Sequence, residues 1–149
     1  MKNVQIRPAI SADHEFLLML NRAAYETLAI RLFGLWDNRS QQSRFENKIQ
    51  QLQFRIIELN HEPVGAICSS EHDDHVFLHE MLILPEFQNR GIGSFVLRLE
   101  LDHARTFKKS IRLHIAKLNR AREFYRIHGF VETGRDEMFI DMEARLTRQ

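Results

Sequence analysis

The chain has 149 residues, of which 44% are hydrophobic and 28% charged, with a formal net charge of +1 and a single cysteine, Cys68. That length and balance suit one soluble domain, residues 1–149, with a core of its own. Near-neutral charge gives no basic field for nucleic acid, one cysteine excludes an internal disulfide framework, and no apolar run approaches a membrane span.

The opening residues 1–8 lack the apolar core of a signal peptide, so a reducing cytoplasm is the expected location. Val4 and Ile6 begin a short strand that Pro8 ends. Ser11 or Asp13 can cap the next helix, whose apolar residues Phe16, Leu17, Leu20, Ala23, Ala24 and Leu28 recur at helical spacing. The stretch 30–39 is less regular and breaks that helix. A second, polar helix follows over 40–51, with Phe45 and Ile49 on one face. Residues 54–59 and 64–69 read as a hairpin about Asn60-His61-Glu62-Pro63. Cys68 lies in its second strand, where an inert buried thiol is expected. Residues 76–84 form the next strand, apolar enough to be central.

That strand ends at Pro85 and runs into Gln88-Asn89-Arg90-Gly91-Ile92-Gly93-Ser94, followed by an apolar-periodic helix from Ile92 to Phe107. Strand, glycine loop and helix make an anion-binding arrangement: the free N–H groups of the first helical turn point at the loop, and the helix dipole favours negative charge there. Glycines let a phosphate approach the main chain. The dinucleotide fingerprint would need a third glycine where Val96 stands, and the Walker loop would need Gly-Lys-Ser/Thr where the chain has Gly93-Ser94-Phe95. Ile111, Leu113 and Ile115 alternate as another strand. Asn119 can cap a helix over 120–128 that carries Phe124 and Tyr125 on one face, with Gly129 as a left-handed terminator. Residues 130–132 and 138–143 read as two closing strands.

The pattern Gln88-x-x-Gly91-x-Gly93 after a strand ending in Pro85 resembles the acetyl-CoA pyrophosphate loop of the GNAT superfamily of N-acetyltransferases. The segment from Asn119 through Tyr125 to Gly129-Phe130 resembles the second signature of that superfamily, and the two stand in its order. The resemblance implies an α/β fold with a mixed, mostly antiparallel, splayed central sheet flanked by helices. It implies acetyl-CoA as cosubstrate, wedged where the central strand and the following one splay apart. The pantetheine arm would pair with the main chain of Leu82, Ile83 and Leu84, with a backbone N–H, chiefly that of Leu82, facing the acetyl oxygen. The pyrophosphate would sit on Gln88, Asn89, Arg90, Gly91, Ile92, Gly93 and Ser94, and the Asn119 side chain would touch the pantetheine. The acceptor would be a small-molecule or peptide amine, met by Phe33, Trp36 and Asp37 between the first two helices. In this superfamily the last strands often pair subunits, so a homodimer is compatible with the resemblance.

An alkyl amine with pKa about 10.4 is almost wholly protonated at neutral pH, and an ordinary Glu at about 4.3 is a feeble base. Glu80 stands where the superfamily often places a carboxylate, and an apolar setting would fit it as general base. The competing reading is a strand carboxylate paired with a Lys or Arg. His79, next to it on the opposite face of a regular strand, is the rival base. Tyr125 matches the superfamily's general acid toward the departing sulfur, or else is a core tyrosine whose hydroxyl needs a partner. His72, His75 and His79 with Asp73 and Asp74 match no closed metal site. Direct attack by the amine is expected because Cys68 stands apart from the loop. The rival function is a non-catalytic acyl-CoA-binding sensor or interaction module.

Overall fold

The alternating strands are realised in a seven-stranded sheet of order β1-β2-β3-β4-β5-β7-β6, described over residues 1–145 in a computed structural model. The elements in chain order are β1 (Val4–Pro8), α1 (His14–Phe33), α2 (Asn38–Gln51), β2 (Phe54–Leu59), β3 (Glu62–Glu71), β4 (His75–Ile83), α3 (Ile92–Thr106), β5 (Ser110–Ala116), α4 (Ala121–Ile127), β6 (Val131–Arg135) and β7 (Phe139–Ala144). The pairs β1–β2, β2–β3, β5–β7 and β6–β7 are antiparallel, and β4–β5 is parallel. This is the mixed, mostly antiparallel α/β fold expected from the sequence. The contacts of the chain divide into two units, 1–69 with 80–93 and 70–79 with 94–149.

In the first unit, Leu17 and Leu20 of α1 and Phe45 of α2 pack with Phe54, Ile56, Ala66, Cys68 and Leu82 of the strands. Phe45 meets Phe54 edge-on, with ring centroids 5.5 Å apart. Helix α1 begins directly after Asp13, one of the two cap positions expected, and ends later than local signals suggest. A short helical turn, Ser11–Asp13, precedes it, and the Asp13 side chain makes no capping bond to α1 itself. Its carboxylate instead accepts two bonds from Arg7, at 2.8 and 2.9 Å, and one from the Ile10 N–H at 2.8 Å. An arginine within reach draws the carboxylate away from the weaker capping bond. The helix then runs to Phe33 and stops at Gly34, whose φ of 83° is left-handed and whose N–H reaches the Ile30 carbonyl. Asp37 caps α2 through the Ser40 N–H.

Strand β3 carries a bulge. Ile57 of β2 pairs with Gly65, but the next residue, Glu58, pairs with Pro63, so Val64 is the extra residue. Its carbonyl accepts the Leu84 N–H at 2.8 Å at the end of β4.

In the second unit, α4 ends in a Schellman motif: the Phe130 N–H bonds the Tyr125 carbonyl at 3.0 Å, and the Gly129 N–H bonds the Arg126 carbonyl at 3.1 Å, with Gly129 at φ 94°. The hydrophobic contact that accompanies such motifs is Tyr125 on Phe130, ring centroids 5.3 Å apart. Leu113 and Met142 pair across β5 and β7, and they are buried together with Ile111 and Ile140 of the same strands.

Candidate active site

Along β4 burial alternates strictly, with Val76, Leu78, Glu80 and Leu82 inward. Period-two geometry therefore sets Glu80 among aliphatic neighbours and puts His79 on the other face. The Glu80 side chain is 6% exposed, yet its setting is not apolar. The Tyr25 hydroxyl of α1 donates to one carboxylate oxygen at 2.5 Å, and the Lys48 ammonium of α2 donates to the other at 2.6 Å. A buried carboxylate needs such donors, and the two helices supply them. Both oxygens are thus engaged. Tyr25 and Lys48 are both half-buried, the Lys48 side chain about a third exposed.

Neither Tyr25 nor Lys48 was singled out in the sequence. Tyr25 looks like one more apolar-face residue of α1, and Lys48 like one more cation on a polar helix. The signal that could have found them is chemical: a carboxylate in a buried strand demands donors.

Below Glu80, Leu82 is buried and Ile83 and Leu84 are half-buried. A short helical turn, Pro85–Phe87, leads into the glycine loop. The Gln88 side-chain amide donates to the Ile83 carbonyl at 2.9 Å and ties the loop to the strand end. Asn89 and Gly91 both have left-handed backbones, φ 62° and 84°. Asn tolerates that region better than most residues, and Gly91 meets it without a Cβ. The Arg90 guanidinium lies over the Phe87 ring, 5.1 Å from its centroid. Gln88 through Gly91 are exposed, Ile92 is buried, and Gly93 and Ser94 are half-buried at the start of α3. The seven loop residues named from sequence are therefore one continuous stretch, the first four exposed, that enters a fifteen-residue helix.

Of the residues assigned to the acceptor, Phe33 is exposed and Trp36 half-buried. The Trp36 indole N–H donates to the Asn38 side chain at 3.2 Å, and Asp37 is occupied as the cap of α2.

In the second unit, the Asn119 side chain accepts the Ala121 N–H at 2.9 Å. It satisfies the start of α4 from one residue earlier than a formal cap, which is Arg120. Tyr125 is 5% exposed and packs edge-on between Phe124 and Phe130. His79 bonds Ser70 at 2.8 Å, and Ser70 in turn bonds His72 at 3.0 Å. His72 and His75 stack, 4.6 Å apart. Among the described residues no group of three or more His, Cys, Asp or Glu is placed to hold a metal ion.

Cys68 of β3 is fully buried, and burial pushes its thiol up to about 12, with the nearby Glu80 charge adding to the rise. A thiol so placed is no nucleophile at neutral pH, as the sequence led us to expect.

The profile of the acetyltransferase (GNAT) family matches residues 19–130 of the chain. No curated protein matches it closely enough to count as a relative. Among solved structures, it is similar to the PaiA N-acetyltransferase of Thermoplasma acidophilum in complex with coenzyme A, at 18% identity over 95% of this chain and 98% of that one, with a TM-score of 0.75. It is similar to a GNAT family acetyltransferase of Elizabethkingia anophelis with acetyl-CoA bound, at 13% identity over 98% and 100% of the two chains, TM-score 0.69. A third likeness is to the ribosomal-protein-S18-alanine N-acetyltransferase of Escherichia coli, at 15% identity over 98% and 97%, TM-score 0.70. At these identities the likenesses speak for the fold.

Proposed function

Because the chain belongs to the acetyltransferase (GNAT) family, we propose that it moves an acetyl group from acetyl-CoA to a primary amine of a small molecule or peptide, by direct attack in a ternary complex. The observation that carries this reading is a buried carboxylate, Glu80, on the strand that runs into the glycine loop. The whole chain, 1–149, acts as one catalytic domain, in the cytoplasm. No helix among the described residues is long and apolar enough to cross a membrane.

The loop suits a pyrophosphate. Gly91 is left-handed and without a Cβ, Gln88 through Gly91 are exposed, and the helix that follows is long enough to present a dipole. Main-chain groups of Leu82, Ile83 and Leu84 would hold the pantetheine arm, and Asn119 would touch it. Acetyl-CoA, when bound, supplies an acyl group already activated as a thioester. Phe33, Trp36 and Asp37 would receive the acceptor.

Glu80 takes the proton that the amine must lose. Each of its oxygens accepts one bond, from Tyr25 or from Lys48, and keeps a second lone pair, and the proton is taken as Lys48, whose side chain is about a third exposed, swings away. Tyr25 then keeps the carboxylate aimed. The amine nitrogen bonds the acetyl carbon, the carbon–sulfur bond breaks, and Tyr125 gives its hydroxyl proton to the leaving sulfur. A main-chain N–H of β4 steadies the carbonyl oxygen as it gains charge.

The Lys48–Glu80 pair also favours a second reading. A carboxylate that is only a buried structural anion would leave an acyl-CoA-binding sensor without catalysis. Thiol release from acetyl-CoA across polyamines, amino acids, aminoglycosides and peptides separates the two. Transfer predicts release that depends on one class of amine, and a sensor predicts binding with no release above the buffer rate.

A further inference from the structure

Gly65 sits in the middle of β3, beside the bulge at Val64 and opposite the end of β4. A Cβ built on it would lie 2.3 Å from the Leu82 carbonyl oxygen, 2.9 Å from Ile83 Cδ1 and 3.3 Å from Ile83 Cα. The side-chain contact can rotate away, but the two main-chain contacts cannot. The Leu82 carbonyl therefore lies hard against β3 in space that any side chain at position 65 would fill.

The same peptide unit fixes the direction of the next N–H. No cis peptide occurs in the described chain, and across a trans peptide the C=O and the following N–H point opposite ways. With the Leu82 carbonyl against Gly65, the Ile83 N–H faces away from β3. The Leu84 N–H, one residue on, is turned back and bonds the Val64 carbonyl at 2.8 Å. Two consecutive peptide units thus alternate, and the outward donor is that of Ile83, not of its neighbour. The bulge contributes by placing Val64 and Gly65 against β4 out of step with β2.

We propose that Gly65 is a positioning residue for acyl transfer: its missing Cβ lets the Leu82–Ile83 peptide lean into β3 and so presents the Ile83 N–H to the acyl-pantetheine arm. The proposal rests on the acetyl-CoA reading above and adds to it which peptide unit is aimed and what aims it. It also explains a glycine in a buried strand interior, where glycine otherwise weakens a strand. For Gly65→Ala, the Leu82 carbonyl would have to retreat by about 1 Å to restore ordinary contact. That tilts the peptide and swings the Ile83 N–H from its line.

The test compares two ligands by calorimetry on the full chain: coenzyme A, and its adenine nucleotide half, which ends in the pyrophosphate and lacks the pantetheine arm. Gly65→Ala should bind the nucleotide half as the parent does and coenzyme A about ten-fold more weakly, the scale of one misplaced hydrogen bond. Its kcat should fall with the amine KM unchanged. Equal weakening of both ligands, or of neither, overturns the positioning role. A parent that binds neither ligand sinks the acetyl-CoA reading itself, and this proposal with it. Should the variant not fold, the parent alone decides: adding coenzyme A should slow exchange of the Ile83 amide, and an unprotected Ile83 amide in the saturated complex overturns the proposal.

Discussion

Glu80 illustrates what one residue can and cannot disclose. Its inward position followed from period-two alternation along β4, and so did the opposite placement of His79. Its partners did not follow, because Tyr25 and Lys48 lie 55 and 32 residues away and only the packing of α1 and α2 brings them in. Glu80→Gln should lower kcat by about 10²–10⁴-fold, and the deficit should shrink as pH rises toward the amine's own pKa, where free amine needs no base. Lys48→Met is the companion. If Lys48 is the donor that leaves, this variant keeps kcat within about ten-fold of the parent. If the pair is only a structural anion and its counter-charge, both variants lose melting temperature together and the pH profile of the rate keeps its shape. Steady-state kinetics against pH, with a thermal melt of each protein, read the difference.

Tyr125 is held by packing on either reading, since its carbonyl closes the Schellman motif and its ring lies between Phe124 and Phe130. Tyr125→Phe removes one oxygen and keeps that packing, so the fold should survive. As general acid, the hydroxyl's loss lowers kcat with acetyl-CoA affinity little changed, and a donor with a more acidic thiol recovers much of the rate. A merely structural tyrosine gives weaker binding, a lower melting temperature and no recovery.

At the scale of elements, the strand–loop–helix unit was the most legible part of the chain. Pro85 and Gly91 punctuate it: the proline fixes its own φ, and Gly91 takes the left-handed φ of 84° that its residue type announces. Less legible were the ends of α1. Asp13 has the right chemistry for a cap, but Arg7 competes for it across six residues. Gly34 rather than the irregular composition around it ends the helix. The bulge at Val64 left no mark, because an extra residue in an apolar strand is still apolar. Gly91→Asp tests the loop: it sets a carboxylate where the pyrophosphate would lie, on a backbone of φ 84° that Asp tolerates better than most residues. Calorimetry should find no acetyl-CoA binding, with only a modest loss of melting temperature. Binding within a few-fold of the parent would show the loop is a helix entry and nothing more.

At the scale of the molecule, strand alternation and helical periodicity were enough to order the elements, and the two glycine-bearing signatures supplied the family. One non-local device ties β1, β2 and the start of α1: Arg7 bonds Asp13 twice and Glu58 once, at 2.9 Å. The Arg7 guanidinium, helped by the Ile10 N–H, holds the Asp13 carboxyl below its ordinary value. A carboxylate lowered on folding stabilises the fold fully above its unfolded pKa, near 3.8, and loses that contribution as pH falls through the lower folded value. Asp13→Asn should therefore cost about 1–3 kcal/mol at neutral pH, and the gap to the parent should close in strong acid. Denaturant midpoints at both pH values measure it, and a gap independent of pH would assign the loss to packing.

The central claim is that this chain carries out acetyl transfer rather than only binding the donor. It is tested most directly by following acetyl-CoA labelled in its acetyl group against a panel of amines. The account predicts label in an amide product, one for one with free thiol and with none lodged on the protein. Saturable binding of acetyl-CoA, with neither label moved nor thiol released by any amine, would contradict it.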